Sequence, residues 1–175
     1  MSTTSDDRLR NWAAGSYRME AATELLIRAF NGRFVQPGHP WIHTTRTDCW
    51  IEFSAITPDS TGVYSGGERR VLAVAAALGT RTAIDLAENI TGLDRTHAHL
   101  VLAALAHTMG THHHDEIRHD PTTGEVDFAE LSSLCPWPEA SPSSRPAQPT
   151  AHLNGLLDSW PTTGTRPDRH AEPRR

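Results

Sequence analysis

Apolar residues recur at helical spacing in three stretches of the chain, and this pattern predicts a small, mainly helical domain. The first stretch spans residues 17–34. Within this stretch the helix is expected to end at Asn31 and Gly32, because both residues tolerate the left-handed geometry of a helix terminus. Residues 1–15 are polar and show no periodicity, so we expect them to form a disordered arm.

A capping box predicts the start of the second helical stretch. Ser65 and Glu68 stand three residues apart, so each side chain can bind a backbone amide at the first turn. Residues 69–78 follow and are rich in alanine and leucine, and Gly79 is expected to close the helix.

Two helices separated by a tight turn are predicted next. The first starts near Thr82, and its apolar positions are Ile84, Leu86, Ala87 and Ile90. Gly92 permits the turn, and Asp94 can cap a second helix over residues 95–109 that Gly110 stops.

Strand signals are short. Residues 49–56 fit either a short strand or the entry of a helix, since eight residues do not distinguish the two periodicities. Residues 120–124 have turn chemistry between Ile117 and Val126. This predicts a short hairpin there, or a loop that leads into a last helix near residues 129–134.

The composition changes at the C-terminal side of the chain. Residues 135–175 hold eight of the twelve prolines, mixed with Ser, Thr, Arg and Ala. Such a segment cannot bury enough apolar surface to offset its ordering entropy, so we expect a disordered tail and a single domain over residues 16–134. Within the tail, Leu153, Leu156, Leu157 and Trp160 form either a short docking motif or part of a passive segment.

Composition and charge exclude several classes of function. All sixteen basic residues are arginine, so a P-loop lysine and a Schiff-base lysine are both absent. We recognise no catalytic, cofactor-binding or metal motif, which predicts a protein that is not an enzyme and needs no cofactor. The first residues, MSTTSDDRLRNW, contain no apolar h-region, so we expect no secretory signal there. No apolar run is long enough for a membrane span, and Cys49 and Cys135 cannot form a multi-bridge framework. A soluble protein of the reducing cytoplasm is expected.

The segment AIDLAENITGLDRTHAHLVLAALAHTMG, residues 83–110, has the order of a helix-turn-helix. With the residues up to 126, it resembles the winged helix-turn-helix of bacterial regulators of the IclR and MarR type. The resemblance implies that residues 111–126 form the wing. It also implies that four side chains just after the turn contact DNA: Arg95, Thr96, His97 and His99.

The charge of this region argues against a phosphate-facing surface. Between residues 81 and 119, three arginines stand against five carboxylates, and the whole chain carries a net charge of −5. Phosphate-facing surfaces are usually basic. DNA binding, as a dimer on paired half-sites, is still the best specific hypothesis, and a non-catalytic module that binds another protein is the alternative.

Histidines concentrate after the second helix of this segment, at His107, His112, His113, His114 and His119. Imidazoles are good zinc ligands, and Cys135 is a candidate fourth ligand. The spacing matches no structural zinc pattern, so no specific metal site is predicted and weak metal binding stays an alternative.

Three blocks of the chain, residues 20–29, 65–78 and 85–110, are similar to small uncharacterised proteins of actinobacteria, their phages and their plasmids. The resemblance implies a source and carries no activity.

Overall fold

Six α-helices and two antiparallel strand pairs make up residues 4–139, the part of the chain that the computed structural model describes. The helices are α1 (Ser5–Ala13), α2 (Tyr17–Arg28), α3 (Pro58–Thr61), α4 (Gly66–Thr80), α5 (Leu86–Ile90) and α6 (Arg95–Thr108). The strand pairs are β1 (Ile42–Thr44) with β2 (Cys49–Ile51), and β3 (Asp115–His119) with β4 (Val126–Glu130). The mainly helical fold and the short hairpin around residues 117–126 are confirmed.

α2 is the centre of the packing because most of its circumference is apolar. Its buried side chains are Ala21, Ala22, Thr23, Leu25, Leu26 and Ile27. A buried surface that extends this far around a helix must be covered on several sides. α4 and α6 make the most extensive contacts with α2, and α1 covers a further side.

α1 corrects the expectation of a disordered arm over residues 1–15. Thr4 and Asp7 form a capping box at its start, with each side chain accepting the backbone N–H of the other at 3.2 Å. Leu9 is fully buried, and the helix packs on α2 and β2. The prediction is wrong for Ser5–Ala13 because only Leu9 and Ala13 are buried, too few to produce a visible periodicity.

The chain reverses after α2 through three consecutive left-handed residues. Phe30, Asn31 and Gly32 have φ values of 50°, 57° and 71° within the 3-10 segment Ala29–Val35. The left-handed geometry predicted for Asn31 and Gly32 is confirmed, although α2 already ends at Arg28. Phe30 is the unexpected member, because a left-handed aromatic residue is uncommon.

Residues 49–56 contain both a strand and a helical turn. Cys49–Ile51 pairs with β1, and Phe53–Ala55 forms a 3-10 turn immediately afterwards. Ile42, Cys49 and Ile51 are buried, and α1 lies against β2. This first hairpin is therefore part of the core.

α4 begins at the predicted capping box, in which the Ser65 backbone N–H donates to Glu68 Oε2 at 2.8 Å. The helix continues through Gly79 to Thr80, so the expectation that Gly79 ends it is wrong. Gly79 serves packing instead. A Cβ there would overlap the Phe53 ring.

α5 is shorter and more exposed than the sequence pattern predicts. It begins at Leu86 rather than near Thr82, and none of its side chains is buried. Leu86 and Ile90, expected to face the core, are exposed. A helix of five residues packs against too little of the neighbouring surface to bury both side chains.

The packed part of the chain extends beyond residue 134, so the predicted start of the tail at 135 is too early. Arg28 Nη1 donates to the carbonyl oxygen of Pro138 at 2.6 Å, and its guanidinium lies 5.4 Å from the centre of the Trp137 ring. Trp137 also packs against the core. The rest of the predicted tail, with its docking motif at residues 153–160, lies outside the described residues.

Candidate functional site

The turn between α5 and α6 is built by two capping aspartates and one glycine. Asp85 Oδ1 accepts the amide N–H of Glu88 at 3.0 Å, and Asp94 Oδ1 accepts that of His97 at 3.0 Å. Between the two caps, Gly92 adopts a φ of 83°, which favours glycine. Two helices joined by so short a turn have the order of a helix-turn-helix.

Arg70 on α4 ties this turn to the rest of the fold. Its Nε donates to the carbonyl oxygen of Glu88 at 3.1 Å. The guanidinium lies against Gly92, where a Cβ would be 3.7 Å from Cζ. Because α5 buries no side chain of its own, this arginine helps to fix its position.

The structure separates the four residues predicted to contact DNA into two groups. Three are exposed on the first turns of α6: Arg95, Thr96 and His99. The fourth, His97, is engaged within the protein. Its Nδ1 lies 2.6 Å from Asp94 Oδ2, and its ring stacks on Phe30 with a centroid distance of 3.8 Å. His97 therefore joins α6 to the left-handed reversal after α2.

The Asp94 carboxylate caps the start of α6, where a phosphate would approach, and Glu68 of α4 lies close enough for its charge to interact with His97. Hydrogen bonds from the backbone N–H and the ring of His97 lower the pKa of Asp94. The pKa of Glu68 is also lowered, chiefly by the hydrogen bond from the Ser65 backbone and further by the charges of Arg33 and His97. Both carboxylates stay ionised at neutral pH, and they oppose the binding of an anion at this helix end.

The β3–β4 hairpin projects an apolar face into solvent. Ile117 pairs directly with Phe128, and Val126 pairs with His119. Residues two apart on a strand share a face, so Ile117, Val126 and Phe128 lie on the same side, which we call the apolar hairpin face. Their exposed fractions are 67%, 55% and 66%.

The same hairpin is strongly acidic. Between residues 115 and 130, Arg118 is the one basic side chain apart from His119. Six carboxylates stand against it: Asp115, Glu116, Asp120, Glu125, Asp127 and Glu130. Six negative charges against one positive charge give a net −5 with His119 neutral, the wrong sign for a DNA-contacting wing.

The two ends of the hairpin meet beside Thr111, and we call this region the hairpin root. Thr111 Oγ1 donates to the carbonyl oxygen of Ala106 at 3.0 Å and accepts the N–H of Leu134 at 3.3 Å. The N–H of Leu131 donates to the carbonyl oxygen of His114 at 2.9 Å. Backbone and hydroxyl hydrogen bonds thus close the base of the hairpin on the end of α6.

Tyr17 and three imidazoles pack together next to this root, and we call Tyr17, His107, His112 and His113 the histidine stack. The ring centroids of His107 and His112 lie 4.1 Å apart, and those of His112 and His113 lie 4.3 Å apart. Tyr17 stacks on His113 at 5.4 Å. Glu20 Oε2 lies 2.9 Å from His107 Nε2, so α2 holds the stack through two of its residues.

His112 is the middle imidazole of the histidine stack, between His107 and His113. Its Nδ1 is buried and has no hydrogen-bond partner among the described residues. Burial lowers the pKa of His112, and the charges of His107 and His113 lower it further. The folded structure therefore favours the neutral imidazole.

The histidines do not converge on a common point. Within residues 4–139, no three His, Cys, Asp or Glu side chains are arranged to hold a metal ion. His107 and His112 meet by their flat faces at an interplanar angle of 12°, an arrangement that does not aim two ring nitrogens at one ion. The alternative of a metal bound by these histidines and Cys135 has no geometric support in this part of the chain.

An open cleft of about 240 Å³ lies between α3, α4 and α5. Arg69, Arg70, Thr57 and Glu88 line it, so both signs of charge face the space. This mixture selects no single class of ligand, and we assign none.

Comparisons with protein-family models, with curated proteins and with solved structures found no match for this chain. None of the helices within residues 4–139 has the length and apolar character needed to cross a membrane.

Sequence reasoning missed the apolar, acidic surface of the β3–β4 hairpin and the histidine stack. The hairpin surface had a signal in the sequence, since the alternation that places Ile117, Val126 and Phe128 on one face and the six carboxylates around them can both be read there. The contact of Tyr17 with histidines about ninety residues away had no local signal, because it depends on how α2 packs against the end of α6.

Proposed function

We propose that this protein is a non-catalytic interaction module that docks a basic, partly apolar segment of another protein on its β3–β4 hairpin. The observation that carries the proposal is the exposed Ile117–Phe128 pair on a hairpin whose net charge is −5. The cytoplasm is the compartment we propose, and the free thiols of Cys49 and Cys135 support it.

The apolar hairpin face supports docking on energetic grounds. A two-stranded hairpin is marginal by itself in water, and contiguous exposed apolar surface often marks an interaction site. Full burial of a side chain such as Ile117 or Phe128 contributes about 1.5–3 kcal/mol. Covering this face with a partner would therefore stabilise both the hairpin and the complex.

The charge of the hairpin selects the kind of partner. A surface with six carboxylates and one arginine attracts a basic segment and repels an acidic one. A second copy of this chain would bring an equally acidic hairpin to the interface. A different, basic protein is thus favoured over a homodimer through this face.

The open edges of the hairpin supply a mode of binding. β3 and β4 pair only with each other among the described strands, so each has one unpaired backbone edge. An extended segment can add to such an edge through main-chain hydrogen bonds, while alternate side chains contact the apolar face. A strand that alternates arginine or lysine with apolar residues matches this surface.

Selection from a random peptide library on the full-length protein tests the proposal. The Ile117→Ser/Phe128→Ser variant serves as the counter-selection target, because it removes apolar surface and keeps every charge. The expected peptides combine basic and apolar residues, and their affinity falls as salt is raised.

Val63→Ser/Leu102→Ser is the matched control, since it removes two exposed apolar side chains outside the hairpin. It should retain the selected peptides. Recovery of acidic peptides, of no peptide, or of peptides that bind the Ile117→Ser/Phe128→Ser variant equally well would overturn the proposal.

DNA binding through α6 is a second candidate. It is favoured by the exposure of Arg95, Thr96 and His99 directly after the α5–α6 turn, with a hairpin following α6 in the order of a wing. The acidic hairpin and the engaged ring of His97 place it below the protein-binding proposal.

Fluorescence anisotropy with a mixed-sequence duplex tests the second candidate, with EDTA present and salt raised stepwise. If α6 reads DNA, binding falls steeply with salt, and Arg95→Ala costs about 1–3 kcal/mol. Arg46→Ala, which removes an exposed arginine between β1 and β2, is the control. Binding that Arg95→Ala leaves unchanged would exclude the proposed recognition helix.

A further inference from the structure

We propose that the histidine stack is a proton-sensitive clamp that holds the hairpin root on α2 while its imidazoles are neutral and releases the root when they are protonated. The stack is not part of the docking surface, and the inference concerns how that surface is regulated. It therefore rests on the proposed function for its biological meaning, although the clamp itself can be tested without a partner.

The spacing of the rings provides the first argument for the clamp. The His112 ring lies 4.1 Å from His107 and 4.3 Å from His113 between centroids, parallel to the first ring and tilted by 51° from the second. Neutral aromatic rings attract one another at such distances, whereas imidazolium ions repel. Protonation of His112 together with either neighbouring imidazole places two positive charges at these distances.

The buried Nδ1 atom of His112 provides the second argument for the clamp. This atom has no hydrogen-bond partner among the described residues, and protonation would put an N–H donor there with nothing to accept it. A buried donor without an acceptor is satisfied by water only after the ring moves outwards. The charged form of His112 therefore fits an opened root better than the closed one.

The surrounding groups determine the direction of the pH effect. Tyr17 and Glu20 face His112 from α2, His107 faces it from α6, and its own segment supplies His113 and His114. Glu20 is the one carboxylate among them. It favours a positive imidazole, but it is already bound by His107 and by the backbone N–H of Gly15 at 2.7 Å.

Burial and neighbouring imidazoles lower the pKa of His112 below its ordinary value of 6.5 in the closed form. The clamp is fully effective above pH 6.5 and weakens as the pH falls from there towards the lowered pKa. The pKa of Glu20 is lowered from 4.5, so its pairing with His107 persists through this range and fails only in stronger acid. Release therefore sets in as the pH falls below 6.5 and is complete once the pH has passed the lowered pKa of His112.

The hairpin root is the element that responds. Gly110 adopts a φ of 70°, and a Cβ on it would lie 2.9 Å from the Tyr17 ring, so the chain is pressed against α2 where it leaves α6. The backbone carbonyl oxygen of His114 accepts the N–H of Leu131 at 2.9 Å immediately after the stack. Outward movement of His112 and His113 therefore strains the first hydrogen bond that closes the hairpin.

Amide hydrogen exchange of the full-length protein tests the clamp, read at Leu131 and Leu134 and corrected for intrinsic exchange at each pH. Between about pH 7.5 and about pH 5.5 we expect protection at these amides to fall on the order of fivefold, while amides of α2 stay unchanged. His112→Phe keeps an aromatic ring in the stack without a titrating group, so it should abolish the response.

His43→Phe is the matched control, because His43 stacks on Trp50 in the buried hairpin at 5.2 Å and lies outside the histidine stack. It should leave the response unchanged. Wild-type protection that is independent of pH, or a normal response in His112→Phe, would overturn the clamp. If His112→Phe does not fold, NMR titration of the wild-type His112 ring decides. A midpoint below 6.5 shared with the Leu131 amide supports the clamp, and unrelated midpoints contradict it.

The two proposals fail separately. Selected peptides bound at about pH 7.5 report only on the docking surface, and hydrogen exchange without peptide reports only on the clamp. Loss of one result with retention of the other identifies which proposal is wrong.

Discussion

The two hairpins of this protein have the same two-stranded, antiparallel form and opposite environments. In β1–β2, the side chains of Ile42, Cys49 and Ile51 are buried. In β3–β4, Ile117 and Phe128 occupy an equivalent cross-strand position and are exposed. Strand pairing alone therefore does not decide whether a hairpin becomes core.

The covering element makes the difference. α1 lies over β2, with Arg8 Nη2 donating to the carbonyl oxygen of Thr45 at 3.1 Å and Ser5 Oγ 4.0 Å from Cys49 Sγ. Among the described residues no helix lies over the apolar face of β3–β4. The first hairpin is stabilised within the chain, and we infer that the second is completed by a partner.

The largest effect should come from truncating the buried hairpin. Ile51→Ala removes a side chain that is only 2% exposed, and its expected cost is about 2–5 kcal/mol in the free energy of unfolding. Urea denaturation followed by tryptophan fluorescence measures it. A loss below 1 kcal/mol would mean that β2 is not packed as described.

Removing the cap of α1 should have an intermediate effect. Thr4→Ala deletes the side chain that accepts the N–H of Asp7, which costs about 1 kcal/mol of stability. Because α1 covers β2, the same change should speed the reaction of the Cys49 thiol with a disulfide reagent in a Cys135→Ser background.

Thr57→Ala is the control for this variant. Thr57 caps α3 in the same way, but α3 makes no comparable contact with the buried hairpin. It should reduce stability without speeding the reaction of Cys49. Equal thiol rates in the two variants would show that α1 does not shield β2.

The smallest effect on stability should come from the exposed hairpin. Ile117→Ala removes the same atoms as Ile51→Ala from a side chain that is 67% exposed, and we expect a change within about 0.5 kcal/mol. Its effect should appear in the affinity for selected basic peptides. A stability loss close to that of Ile51→Ala would show that the apolar hairpin face is already covered.

Local chemistry made much of the fold predictable. The capping box at Ser65, the cap at Asp94 and the turn at residues 120–124 each depend on neighbouring residues, and each of these elements is present. Interpretation of the sequence failed where tertiary contacts decide. α1 shows too few apolar positions to be recognised, and the role of Gly79 depends on Phe53, which is distant in the sequence.

The candidate site also contains features that the sequence predicts and features that depend on tertiary contacts. Exposure of Arg95, Thr96 and His99 follows from helical periodicity, so it was predictable. The engagement of His97 with Phe30 was not, because it depends on a left-handed reversal that brings the end of α2 beside the start of α6. DNA binding itself stays a prediction.

The contact between Gly79 and Phe53 has a consequence for the cooperativity of unfolding. The ring fills the space that a side chain at Gly79 would occupy, so α4 and the turn that follows β2 interlock. In native-state hydrogen exchange they should open as one foldon, with a single free energy and a single dependence on denaturant. The β3–β4 hairpin has no comparable contact between a glycine and a buried ring, so it should open by itself at a much lower free energy of opening.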